Sequence, residues 1–589
     1  MIRRISAFVL ALATLYSPAL SAQTAQQSQP TAATTATQAA PTPHAATAPL
    51  VARVARGSGG AVAAAEENAA RVGLEILRRG GNAADAAVAV SFALAVTWPE
   101  AGNIGGGGFW NSRDAQGRVL IVDYRESAPR LAARDLYTRP GRNGVVPSST
   151  EGPLASGVPG TVAGLALAHR RAGKLPWKTV VEPAVRLARD GFVMTAAVSE
   201  SIADERERLA KDPEAARVFL PGGAAPVPGQ LFKQPDLART LEAIRDRGED
   251  GFYRGEIARR FEESQRRAGG LISRGDLARY EAKVRKPLRF RFAGAEIVTT
   301  PAPSSGPVLA EMALAVERVA DRVKEPSPVA VHWVAEIEKR AFRDRNQYLG
   351  DPAFPGVREQ LFTDPARIGR LIASIDPKKS TSTAELARVF PERPTTTHFS
   401  VMDADGMAVS ITTTLNDSFG SARVEKGLGF LLNNEMDDFA ARPGEKNMYG
   451  LVQGEVNAVA PGKRMLSSMC PSIAVVGGKN VLVWGTPGGS TIPTTNLQVL
   501  VGRLLRNETL GDAVAGARFH QQDLPDAIDV ETGRFEPEWL DALRAMGHEI
   551  KNRKRLGCVH AIGVDKDGTV VAAADPRGSG TAVVAREAP

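Results

Sequence analysis

The sequence predicts an α+β protein in which sheets lie between helices. Helical periods run through most of the first 350 residues, and short strand patterns dominate from residue 397 onward. A helix signal returns near residue 494, so helices flank a strand-rich middle. At 589 residues the length alone suggests several domains, but one layered architecture can absorb such a chain. The composition, 43% apolar and 23% charged, is that of a soluble globular protein. The net charge of +8 is spread over 73 basic and 65 acidic side chains. The one compact basic run, Lys551 to Arg555, has no interleaved aromatic residue and reads as a solvated face rather than a nucleic-acid surface.

The elements follow in order. Arg3-Arg4, the apolar run Ile5 to Tyr16 and the small residues Ala19, Ser21 and Ala22 form a secretory leader, residues 1–22. The mature protein is then exported, periplasmic or secreted, and no other stretch is apolar enough to span a membrane. Residues 23–50, rich in Ala, Thr, Gln and Pro, read as a disordered linker. Folded structure starts with helix patterns from Ala61, over Ala64–Arg79 and Asn82–Val96, with Asn82 as N-cap. The second helix is almost wholly small and apolar, hence buried on most sides. Gly105 to Gly108 lack a strand–GxGxxG–helix setting, so close packing is a better reading than an anion cradle. A strand over Val119–Tyr124 ends in Arg125-Glu126, and residues 156–164 turn into another small-residue helix. Residues 177–290 are mainly helical and charged. Helices at 308–322 and 328–348 follow a Pro-Ser-Gly loop, and residues 374–394 are polar, proline-punctuated and mobile in this reading.

A hairpin comes next: strands Thr397–Met402 and Met407–Leu415 joined by Asp403-Ala404-Asp405-Gly406. A two-residue turn gives paired positions summing to about 811 or 809, which sets Thr396 beside Thr413, Thr414 or a neighbour. Later strands are expected at Gly427–Asn433, Ile473–Val476, Val481–Trp484, 558–564 and 569–574, the last two closing the chain, with a helix at Thr494–Leu505. Cys470 and Cys558 are too few for a disulfide framework. Zinc-type clusters, Walker loops and a GxSxG elbow are absent.

Four segments now read together: Thr396-Thr397-His398-Phe399-Ser400, Leu431 to Phe439 with its Asn433-Asn434-Glu435-Met436-Asp437-Asp438 core, Arg464 to Met469, and Pro487-Gly488-Gly489-Ser490. In this order and spacing the chain resembles γ-glutamyltranspeptidases from about residue 52 to the end. Supporting matches lie at Asn82 to Ala86, Gly105 to Phe109, Arg125-Glu126 and Tyr348 to Pro352. The resemblance implies a four-layer αββα sandwich of the N-terminal nucleophile hydrolase type. It also implies self-cleavage between Thr395 and Thr396, giving a large subunit, 51–395, and a small catalytic subunit, 396–589, that form a heterodimer.

The chemistry behind that cut is direct. Thr396 Oγ attacks the preceding carbonyl, an acyl shift gives an ester, and water releases it. The freed α-amine, with a reference pKa of about 7.7–8.0, then serves as general base. His398 is the tempting alternative base, but it reads better as a structural residue. By resemblance Thr414 hydrogen-bonds the nucleophile and Gly488-Gly489 form the oxyanion hole. Arg125, with Ser467 and Ser468, takes the substrate α-carboxylate, where a guanidinium fork suits two oxygens. Asn416, Glu435 and Asp438 take the α-ammonium. Arg442 through Tyr449-Gly450 resembles a lid loop with Tyr449 as gate. Glu435 stands where some bacterial relatives have Gln, and Cys470 is assigned no role.

The implied substrates are glutathione and related γ-glutamyl compounds, with water or an amino acid or peptide as acceptor. No metal or organic cofactor is implied. Two other readings compete: a glutaryl-type cephalosporin acylase on the same scaffold, which would have less use for the ammonium set, and an uncleaved, non-enzymatic binding protein.

Overall fold

The computed structural model describes residues 49–141, 144–383, 396–442 and 444–587. The leader, nearly all of the linker, residues 384–394 of the polar stretch, Thr395 of the cleavage junction and Pro443 of the lid lie outside the described residues.

Thirteen strands form one hydrogen-bonded set: β1 (Arg53–Ala64), β2 (Gly107–Arg113), β3 (Val119–Asp123), β4 (Lys283–Arg285), β5 (Leu288–Phe292), β6 (Ala295–Thr299), β7 (Thr396–Asp403), β8 (Ala408–Thr414), β9 (Ser472–Val476), β10 (Lys479–Trp484), β11 (His560–Val564), β12 (Val570–Ala574) and β13 (Thr581–Glu587). Their order is β4-β3-β2-β8-β7-β1-β12-β11-β10-β9-β6-β5, with β13 also paired to β1. The long β1 joins the two halves of this set. Residues 53–57 pair with β12, whereas 60–63 pair with β7 and 57–64 with β13. The register shifts between Ser58 and Ala61, where Gly59 (φ +78°) and Gly60 (φ +110°) take backbone conformations that side chains resist.

Strand alternation sorts the side chains. Along β7, Phe399 and Val401 face one way and join Trp110, Val122, Val409 and Ile411 in a core with helices α1 (Glu67–Arg78) and α2 (Ala83–Thr97). Met402 and Ala408 face the other way and meet Val298, Ile473, Val483 and Ile562 from the second half of the strand set. On the far side of those strands, Ile297, Ala474, Leu482 and Ala561 pack with helices α3 (Gly306–Arg318), α4 (Pro328–Tyr348) and α5 (Ile492–Leu500). The capping box of α2 is present, Asn82 accepting from Asp85 N while Asp85 accepts from Asn82 N, and every α2 residue is buried.

Several expectations need correction. The folded part opens with β1, not with a helix, and the first helix begins three residues later than its Ala-rich pattern suggests. The end of the 177–290 stretch read as helical instead supplies β4 and the start of β5. Gly427–Asn433 is a loop holding only a bridge between Val424 and Leu431, because Gly427 (φ +68°) and Gly429 (φ +76°) break the extended backbone. The strands near the end do not close the chain; β13 follows them. The hairpin loop has three residues, Ala404-Asp405-Gly406, with Gly406 at φ +88°, so Thr414 pairs directly with Thr396 and neither two-residue register applies. Both cysteines are free, and Cys470 is buried. No helix among the described residues is long and apolar enough to cross a membrane.

Candidate active site

Thr396 stands at the first position of β7, on the strand face that looks between the two halves of the sheet. Its Oγ lies 3.3 Å from the Oγ of Thr414, its cross-strand partner at the end of β8. Both residues are buried. The Thr414 hydroxyl also accepts the backbone N–H of Asn416 at 2.8 Å. Asn416 follows with φ +77°, a left-handed conformation that asparagine tolerates better than most residues.

The glycine run explains how the end of the hairpin is held. A Cβ at Gly106 would overlap the Thr414 carbonyl, and one at Gly105 would overlap Leu431 O. The space is therefore filled by close packing, in agreement with the sequence reading. Asn103 completes the clamp: its amide donates to Thr414 O at 2.9 Å, while its Oδ1 accepts Gly106 N at 3.0 Å. Sequence reading missed Asn103, whose signal is an asparagine before a glycine run.

His398 is saturated. Nδ1 meets Thr412 Oγ at 2.9 Å and Nε2 meets Ser400 Oγ at 3.1 Å, inside a fully buried site. Burial, with His560 nearby, holds its pKa well below the usual imidazole value, so the ring is neutral and structural.

Arg125 leaves the end of β3 and is wholly buried. It pairs with Glu435 and Asp438 and lies 3.3 Å from Glu126, while its Nε donates to Met465 O at 3.3 Å. Burial alone would lower its pKa, but the three carboxylates outweigh that and raise it. The carboxylates are pushed the other way. Burial raises Glu435, Asp438 and Glu126 against the pull of Arg125, Glu126 to about 7. Glu126 Oε1 lacks a hydrogen-bond donor among the described residues, whereas Glu435 Oε2 is held by the Arg125 guanidinium. Asn433, named in the motif without a role, and Asn457, missed in the sequence, fix the acidic turn. Asn433 Oδ1 accepts Glu435 N at 3.1 Å and Asn457 donates to Asp438 O at 2.7 Å.

Ser467 and Ser468 lie on the segment that passes Arg125 at Met465, and Ser467 N donates to Pro303 O at 2.8 Å. More specifically, the Ser467 hydroxyl accepts Met469 N at 3.1 Å and the Ser468 hydroxyl accepts Arg345 Nη2 at 3.1 Å. The segment is anchored by Arg464, which pairs with Asp123 at 2.6 Å and whose backbone N–H reaches Asp351 at 3.0 Å.

Gly488 (φ +141°) and Gly489 (φ +55°) form the turn between β10 and α5. Tyr449 lies against them: a Cβ on Gly489 would stand 2.6 Å from its ring. The Tyr449 hydroxyl donates to Asn416 at 2.7 Å, so this one side chain spans from the turn after Thr414 to the glycine pair. The structure thus brings Thr396, Thr414, Asn416, Tyr449, Gly488 and Gly489 into one connected group, and Arg125, Glu435, Asp438 and Ser468 into a second that touches the first through the 434–438 turn.

The γ-glutamyltranspeptidase family model matches residues 69–585. The chain is 44% identical over 547 residues to a glutathione hydrolase proenzyme of Pseudomonas aeruginosa, covering 90% of this chain and 95% of that one. It is 42% identical over 528 residues to a glutathione hydrolase proenzyme of Escherichia coli strain K12, covering 89% and 91%. Among solved structures, a cephalosporin acylase from Bacillus halodurans superposes with a TM-score of 0.81 over 92% of this chain and 99% of that one, at 24% identity, which is a likeness of fold.

Proposed function

The chain belongs to the γ-glutamyltranspeptidase family, and from that premise we propose that it is a self-processing glutathione hydrolase and γ-glutamyltransferase. The observation that carries the reading is the Thr396–Thr414 hydroxyl pair, 3.3 Å apart at the open end of the β7–β8 hairpin. In the precursor, Thr396 Oγ attacks the carbonyl of Thr395. The peptide nitrogen leaves as the α-amine of Thr396, and water hydrolyses the resulting ester. That amine, near pKa 8 by its reference value, takes the hydroxyl proton in each later turnover, a role that neutral, saturated His398 does not fill.

Substrate recognition follows from charge. The buried carboxylates of Glu435, Asp438 and Glu126, the last with an oxygen that lacks a donor, suit an α-ammonium, together with Asn416. Arg125, Ser467 and Ser468 suit the α-carboxylate. Thr396 attacks the γ-carbonyl, the N–H groups of Gly488 and Gly489 hold the developing oxyanion, and the amine leaves. The γ-glutamyl ester then passes to water or to an amino acid or peptide. Three buried clusters, one between the two halves of the strand set and one on each outer side, support the αββα reading. Residues 1–22 support export to the periplasm or beyond, with 51–395 and 396–589 as the two subunits.

Intact mass under denaturing conditions, together with turnover of γ-glutamyl and glutaryl anilides, tests this. Two chains split before Thr396, γ-glutamyl turnover well above glutaryl, and loss of both processing and turnover in Thr396→Ala are expected. A stable single chain would sink the reading, and a preference for glutaryl would transfer it to the acylase.

A further inference from the structure

Arg345 is a buried cation without a counter-ion. It projects from the last turn of α4 and is 1% exposed. Its Nε donates to Ser305 Oγ at 3.0 Å, Nη1 to Asn346 Oδ1 at 3.3 Å and Nη2 to Ser468 Oγ at 3.1 Å. All three partners are neutral, and no carboxylate among the described residues lies in ion-pair contact with it. Burial pushes its pKa down to about 10, with Asp438 opposing that shift and Arg125 adding to it, so it stays charged at neutral pH. Three of the five guanidinium N–H donors are used. A desolvated charge of this kind is unfavourable unless an anion completes it.

The hydroxyls around it give the direction of that anion. Ser305 accepts from Arg345 and passes its own hydrogen to Ser467 O at 2.6 Å. Ser468 also accepts from Arg345, but its hydroxyl hydrogen has no acceptor among the described residues. A hydroxyl that accepts from a guanidinium is polarised toward donating. Arg125, by contrast, is already engaged by Glu126, Glu435 and Asp438.

We propose that Arg345 is a positioning residue for the donor site: it fixes Ser468 as a hydrogen-bond donor and supplies the cation that the donor's α-carboxylate completes. The proposal rests on the γ-glutamyl reading above and adds to it a second arginine, bonded directly to Ser468. The acid is held through the Ser468 hydroxyl with the Arg345 charge behind it, and Arg125 remains partly committed to the carboxylates that take the ammonium.

The test compares two donors on the processed two-chain protein: a γ-glutamyl anilide and the 4-aminobutyryl anilide, which keeps the ammonium and the γ-carbonyl but lacks the α-carboxylate. Arg345→Met is expected to raise KM for the γ-glutamyl donor about 10- to 100-fold, with kcat within about threefold, and to change kcat/KM for the 4-aminobutyryl donor by less than about threefold. Arg345→Lys, which keeps the charge but not the fork, is expected to fall between wild type and Arg345→Met on the first donor. Equal proportional losses on both donors would make Arg345 structural and overturn the proposal, as would an unchanged KM. If Arg345→Met does not mature, the same comparison is made on Arg345→Lys; failure of both to mature would assign Arg345 to folding and overturn the proposal. Wild-type protein without γ-glutamyl turnover would instead remove the functional reading on which this one rests.

Discussion

Thr414 works through a single oxygen that meets Thr396 Oγ and accepts Asn416 N. Thr414→Val keeps the shape and removes that oxygen, so the Thr396 hydroxyl and the Asn416 N–H lose this acceptor. Self-cleavage and kcat are expected to fall by one to two orders of magnitude, on the order of 1.5–3 kcal/mol. Gel densitometry of processing over time and single-turnover assays measure the two effects. Asp437, next to the acidic pair, makes a different prediction. It accepts Ser149 Oγ at 2.6 Å and Met448 N at 2.8 Å, tying the lid segment to the 148–151 loop. Burial, opposed by those hydrogen bonds, raises its pKa to about 6. A carboxyl with a raised folded pKa binds more protons folded than unfolded. Its contribution is therefore fully present below about pH 4 and is lost as pH rises through 6. Asp437→Asn cannot ionise, so its stability relative to wild type is expected to improve between pH 4 and 7 by roughly 2 kcal/mol. Denaturant titrations across that range would show a flat difference if Asp437 is not perturbed.

At the scale of elements, the glycine run before β2 and the hairpin end are one unit, because the backbone at Gly106 lies directly against the Thr414 carbonyl. Gly106→Ala is expected to destabilise the protein by about 1–3 kcal/mol through overpacking. It is also expected to slow self-cleavage more than an equally destabilising change in the α1 layer, since its strain falls on the residue beside the nucleophile. Normal processing in a measurably destabilised Gly106→Ala protein would separate the two elements. The packing role of this run was legible because no phosphate-binding context surrounds it. The hairpin was legible from its alternation and its Asp-Gly turn, but its register depended on a three-residue loop that composition does not distinguish. β1 was not legible: Arg53–Ala64 is Ala- and Gly-rich, with little β-branched character, and pairing with three other strands overrides its propensity. The apolar run Gly427–Asn433 misled in the opposite direction, because two left-handed glycines outweigh its hydrophobicity.

At the scale of the whole molecule, the proposed cut divides the sequence but not the sheet. In one half β7 and β8, from the small subunit, lie between β1 and β2 of the large one; in the other, β9 to β12 lie between β1 and β6. This interleaving also explains which site residues the sequence could reveal. Motifs on the small subunit lie close together in the chain, so Thr396, the 434–438 turn and Gly488-Gly489 were readable as a set. Arg345 and Asn103 act through neighbours far away in sequence, and a lone arginine on a charged helix carries no sign of its burial. The same geometry fixes how the mature protein should come apart. Separating the subunits means breaking the β1–β7, β2–β8, β1–β12, β1–β13 and β6–β9 ladders together and exposing the core between the sheet halves, so it is equivalent to unfolding. The two chains are therefore expected to stay in a 1:1 complex on dilution to nanomolar concentration without denaturant. In urea, loss of the complex and loss of secondary structure should follow one transition. Native mass spectrometry and circular dichroism on the same titration decide this: release of an intact, folded small subunit before the sheet melts would mean that the cut, and not the interleaved strands, sets the limit of stability.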